Sequence, residues 1–137
     1  MDDIEAIRQL KARYFRTMDT KQWDAMRALF TDDLSMDTAA AGGGVYDNAD
    51  DFMDFLRAAL GDAVSVHQGH MPEITLVSDT EATGIWALHD IVIFPNGMHL
   101  TGYGHYHERY RKVDGEWRIA ACTLTRLHSE IVMPAAQ

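Results

Sequence analysis

Glu81-Ala82-Thr83-Gly84-Ile85-Trp86-Ala87-Leu88-His89-Asp90-Ile91-Val92-Ile93-Phe94 is rich in β-branched and aromatic residues and carries apolar side chains at both parities. Ser78-Asp79-Thr80 precedes it and Pro95-Asn96-Gly97 follows, so the run reads as a long strand bounded by turns. Trp86, Leu88, Val92 and Phe94 share one face, and Ile85, Ile91 and Ile93 share the other. A sheet with one face in water would alternate apolar and polar residues cleanly; this pattern calls for cover on both faces. Helices supply one cover, and a second copy of the chain is the most economical source of the other.

Working outward, strands are expected over residues 63–77, 98–113 and 116–128 as well as 81–94, with hairpin signals at Pro95-Asn96-Gly97 and Asp114-Gly115. Gly84, Gly102 and Gly104 within these strands point to bulges or kinks, hence to a strongly bent sheet. The N-terminal half reads as helical. Ile4, Ile7, Leu10, Tyr14 and Met18 form the stripe of a helix over residues 2–18. Thr20 is expected to cap a second helix bearing Trp23, Met26, Leu29 and Phe30, and a short strand is expected over 34–38. Ala39 to Gly44 reads as a flexible loop, and Asp47-Asn48 should cap a third helix with Phe52, Phe55, Leu56 and Leu60 on one side and Gly61 at its end. Helices first and an antiparallel meander afterwards define an α+β domain with its helices on one face of the sheet.

The 137 residues are expected to form one domain, long enough to bury roughly 70% of the unfolded surface. A net charge of −9 disfavours a nucleic-acid partner, and no apolar run approaches a membrane span or a signal peptide, so the expected location is the cytoplasm. The lone Cys122, among apolar residues, reads as a buried thiol.

Several polar residues stand out against this scaffold. Asp90 shares parity with Trp86 and Val92, and Arg126 with Cys122 and Leu124, so each puts a charge on a core face, costly unless paired. They read equally as a buried structural salt bridge and as site residues. His67 and His70 lie three apart, which on a regular strand sends them to opposite faces, so no metal site is expected from them. Parity alone does not decide which one faces inward. Asp19 falls at the corner between two helices, where a carboxylate ordinarily caps or turns the chain. Phosphate-cradling loops, nucleotide fingerprints and nucleophile elbows are not seen in the sequence. The chemistry within reach is proton transfer next to a carbonyl, by an imidazole with a carboxylate, a phenol and a guanidinium.

Four groups of residues, in order and at matching intervals, resemble a known family. They are Asp3-Ile4-Glu5-Ala6-Ile7 leading to Tyr14-Phe15-Arg16, Asp19 and Trp23-Asp24; His67-x-Gly69-His70-x-Pro72-Glu73-Ile74-Thr75; Ala82-Thr83-Gly84-x-Trp86-x-Leu88-x-Asp90; and Tyr110-x-Lys112-x-Asp114-Gly115-x-Trp117. Over nearly the whole chain they are similar to the SnoaL-like branch of the nuclear-transport-factor-2-like superfamily, in motif most of all to the bile acid 7α-dehydratases. Scytalone dehydratase and hexachlorocyclohexane dehydrochlorinase resemble the chain more distantly. The resemblance implies a cone-shaped α+β barrel, three helices on a strongly curved and mostly antiparallel sheet, forming homodimers with a largely apolar cavity. It implies catalytic roles for Tyr14, His67 and Asp90, with Asp19 and Arg126 at matching positions. Segments 37–47 and 94–107 depart from the bile acid enzymes, in regions that would shape the cavity mouth.

The expected activity is that of a cofactor-independent lyase acting on a small or medium hydrophobic hydroxy-carbonyl compound of the steroid or polyketide kind. His67 is expected as general base oriented by Asp19, Tyr14 as hydrogen-bond donor to the oxyanion, Asp90 as proton-transfer aid or anchor, and Arg126 at the polar end of the cavity. Trp86, Leu88 and Tyr106 are expected to contact the substrate. The alternatives are an isomerase or cyclase using the same base, and a non-catalytic ligand-binding or dimerisation module.

Overall fold

The structure, a computed structural model, describes residues 1–135. Helix α1 spans Asp3–Asp19; it begins where the Asp2 carboxylate accepts the Glu5 backbone N–H at 2.8 Å, capping an end that would otherwise leave donors unpaired. Ile7, Leu10, Tyr14 and Met18 form its buried stripe. Thr20 closes α1 instead of opening the next helix, its backbone N–H and hydroxyl both donating to the Arg16 carbonyl, and Lys21 then reverses the chain at φ 61°.

Helix α2 is only Trp23–Arg27, shorter than its apolar spacing suggests, because Phe30 already belongs to strand β1, Phe30–Asp37. Propensity yields there to sheet pairing: Phe30 sits opposite Ile119 on the last strand and is wholly buried. Residues 39–41 form a 3-10 turn, β2 is the pair Val45–Tyr46, and α3 is Ala49–Leu60, capped by Asn48 accepting the Asp51 N–H at 2.8 Å. Strands β3 (Val64–Leu76), β4 (Glu81–Ile93), β5 (His99–Val113) and β6 (Glu116–Val132) follow.

One curved sheet takes the order β2-β1-β6-β5-β4-β3, antiparallel throughout except where β1 runs parallel to β6. Asp114 and Gly115, at φ 52° and 80°, make the tight turn between β5 and β6 that their identities favour. Register shifts interrupt β3 between His70 and Glu73, and the β5–β6 ladder at Tyr103/Gly104 and Arg109/Tyr110. Extra residues of this kind bend a strand and tighten its twist, and the bent sheet forms a concave face for the helices. The core fills that concavity, with Phe30 and Phe52 meeting edge to face at 5.7 Å. Each fully buried aromatic or aliphatic side chain contributes about 1.5–3 kcal/mol.

Among the described residues, no helix covers the convex face. Val64, Val66, Ile85 and Tyr103 stand exposed on it. Ladder partners place His70, His89, His99, His105, His107 and His128 on the same face, so every histidine except His67 points away from the core. No helix among the described residues is long and apolar enough to cross a membrane.

Candidate active site

A cavity of about 260 Å³ lies between the concave sheet and α1 and α3. Met18, Phe52, Phe55, Leu56, Val92 and Leu124 make most of its wall apolar, while Tyr14, His67, Asp90, Tyr106 and Arg126 supply the polar groups. Thr38, Gly42 and Gly43, from the loop after β1, complete the rim.

His67 reaches this cavity because β3 turns Ser65, His67 and Gly69 inward and Val64, Val66, Gln68 and His70 outward. The apolar residues Val64, Val66, Ile74 and Leu76 at the parity of His70 point the wrong way for two reasons. Val64 and Val66 belong to the uncovered convex face, and the bulge around Met71, at φ 45°, reverses the parity beyond it. His70 is therefore exposed on the opposite side of the sheet from His67.

Asp19, the last residue of α1, meets this strand. Its Oδ1 lies 2.7 Å from His67 Nδ1 and accepts the Ser65 hydroxyl at 2.9 Å, and its Oδ2 accepts the His67 backbone N–H at 2.7 Å. An ionised carboxylate only accepts, so in the neutral ring Nδ1 carries the proton and Nε2 keeps the lone pair. Nε2 has no partner among the described residues. The side chains of His67 and Asp19 are 10% and 19% exposed, so water competes little for their contact.

Asp90 sits directly opposite His67 in the β3–β4 ladder. Arg126 grips both oxygens of its carboxylate, at 2.5 and 3.1 Å, which offsets the cost of placing either charge in the core. Gly102 makes this possible: it is the β5 neighbour of Asp90, and a Cβ there would collide with the Arg126 guanidinium and the Asp90 carboxylate. Tyr14 and Tyr106 lie within the wall with their rings 5.9 Å apart, edge to face. Burial, the leading cause, pushes both phenols well above their usual range, so they stay protonated and act as donors.

Five expected residues, Tyr14, Asp19, His67, Asp90 and Arg126, thus meet around one cavity, Asp19 through its bond to His67. Tyr106 lies in the wall. Trp86 and Leu88 require correction. They share the inward face of β4 but do not line the cavity. A methyl group on Gly69 would stand 2.7 Å from the Phe15 ring and 3.3 Å from Trp86, and the Trp86 indole N–H donates to Tyr110 at 2.8 Å. The aromatic wall on the helix side, Phe52 and Phe55, was not among the expected contacts, although their spacing on α3 marks the face that bears them.

A helix-covered, strongly bent sheet with a polar cluster at one end of an apolar cavity places the chain in the cone-shaped α+β class. Residues 1–123 match the model of the SnoaL-like domain, and the chain belongs to that family, within the nuclear-transport-factor-2-like superfamily. Among curated relatives, a probable cyclase, FGR4, of Gibberella zeae is 25% identical over 92% of each chain. Scytalone dehydratase arp1 of Aspergillus fumigatus is 29% identical over 86% of this chain and 78% of its own. The solved structure of hexachlorocyclohexane dehydrochlorinase LinA-type3 from Novosphingobium barchaimii shares the fold, with a TM-score of 0.81 at 17% identity over 93% of this chain and 88% of that one.

Proposed function

We propose that the protein is a cofactor-independent lyase that eliminates water from a small hydrophobic hydroxy-carbonyl compound. The observation that carries this reading is the His67–Asp19 contact of 2.7 Å at an otherwise largely apolar cavity. His67 Nε2 takes a proton from the carbon beside the carbonyl, and the released electron pair becomes an enolate whose oxygen accepts a hydrogen bond from Tyr14. The enolate then expels the β-hydroxyl group. The imidazolium returns its proton to that oxygen, which leaves as water, and His67 is neutral again. Asp19 steadies the imidazolium throughout.

Asp90 serves better as anchor than as acid. Its charge is engaged by Arg126, so it accepts a hydrogen bond from a substrate hydroxyl and has no proton to give. The cavity of about 260 Å³ falls just below the usual ~300–1,000 Å³ of ligand pockets, favouring a one- or two-ring polyketide-like molecule over a full steroid. The whole chain is proposed to work as one domain in a homodimer paired through its convex face. The buried thiol of Cys122 suits the reducing cytoplasm.

The similarity to a probable cyclase favours a second reading, in which the same base isomerises or cyclises the substrate without loss of water. Incubating the protein in heavy water with a panel of β-hydroxy-ketones separates the readings. Loss of water to give the unsaturated ketone supports the lyase, and deuterium incorporation at carbon without water loss supports the isomerase. Ligand-induced shifts of the His67 resonance without exchange would leave only a binding module.

A further inference from the structure

The buried stripe of α1 contains one charge. Lys11 is fully buried, its Nζ 2.8 Å from Glu108 Oε2, and the Glu108 side chain is equally inaccessible. The other Glu108 oxygen accepts the Tyr110 hydroxyl at 2.8 Å, and that hydroxyl in turn accepts the Trp86 indole N–H. The ammonium also stands 3.8 Å from the centre of the Tyr14 ring and 3.6 Å from that of Tyr106, with Phe15 farther off at 5.0 Å. Three N–H groups thus meet one carboxylate and two ring faces, so the buried charge is fully satisfied.

Stability alone explains such a pair poorly, since apolar residues of the same volume often do as well or better. Neither Lys11 nor Glu108 reaches the cavity, but the two rings under the ammonium both line it beside His67. A cation over a phenol ring draws electron density from the ring and its oxygen, which strengthens the O–H as a donor. We propose that Lys11 is a positioning residue of the active site, its ammonium locked by Glu108 so that it holds the rings of Tyr14 and Tyr106 and polarises their hydroxyls toward a developing oxyanion. This rests on the reading of Tyr14 as the oxyanion donor. Burial, Cys122 and Glu108 act on the Tyr14 phenol in the opposite direction, making it a weaker acid; the proposal sets against them the ammonium 3.8 Å from the ring centre.

The test replaces Tyr14 by the more acidic 3,5-difluorotyrosine and follows its fluorine resonance with pH in two folded variants, Glu108→Gln and Lys11→Met/Glu108→Gln. The comparison isolates the ammonium. The expected result is a midpoint higher by about one unit or more in the double variant, a tenfold weaker acid. Equal midpoints would overturn the proposal. Should the double variant not fold, the Nζ resonance of Lys11 in the unaltered protein decides: a ring-shifted ammonium at neutral pH supports the proposal, and a neutral amine overturns it. Neither measurement needs a substrate. If Tyr14→Phe keeps full turnover while the midpoint moves as expected, the polarising effect stands and the oxyanion role of Tyr14 falls.

Discussion

At the scale of single residues, the site turns on which nitrogen of His67 carries the proton. Asp19 fixes this by accepting from Nδ1, and an amide in its place can present either face to the ring. Asp19→Asn is therefore expected to lower kcat by about 10²-fold or more with little change in thermal stability, a split read by turnover and melting measurements together. Tyr14 should contribute no alkaline limb to the kcat/KM profile below about pH 10, since burial raises its phenol well above that ordinary value. An alkaline limb in the unaltered enzyme that disappears in Tyr14→Phe would contradict the donor role. Much of this site was legible in the sequence as charge on core-facing parities, as with Asp90 and Arg126. Glu108 gave the same signal between Tyr106 and Tyr110, and Lys11 gave it between Ile7 and Tyr14, but helix and strand patterns treated separately do not show that the two meet.

Among the elements, strand β3 shows where periodicity misleads. A single extra residue near Met71 exchanges the faces of everything beyond it, so Ile74 turns inward although it shares the parity of the outward His70. Only the family motif selected His67 over His70; in the structure His67 turns inward and meets Asp19. The length of α2 and the parallel pairing of β1 with β6 were likewise hidden, because Leu29 and Phe30 fit a helical stripe as well as a strand start. The central ladder rests on the Asp90–Arg126 pair under Gly102. Arg126→Met should leave a buried carboxylate unpaired and cost about 3–5 kcal/mol, whereas Asp90→Asn/Arg126→Met should cost less. Denaturant titration of both variants checks this, and a double variant no more stable than the single one would refute the pairing argument.

For the whole molecule, the helices account for the concave face and leave the convex one bare. Apolar residues at both parities of β4 were legible from the sequence, and on the convex side they stand uncovered as Ile85 and its neighbours. A second copy placed there would bring histidines of both chains together, among them His89, stacked on Tyr103 at 4.8 Å. Analytical ultracentrifugation is expected to find a dimer at neutral pH. A monomer at neutral pH at high protein concentration would refute the pairing, and Val66→Lys should produce such a monomer. Within the single chain, the central claim is that one imidazole moves the proton. The most direct measurement is the rate at which a β-hydroxy-ketone deuterated on the carbon beside its carbonyl loses that label to ordinary water, compared between the unaltered protein and a folded His67→Gln variant. A loss of ~10²–10⁴-fold is predicted, and equal rates in the two proteins would contradict the account.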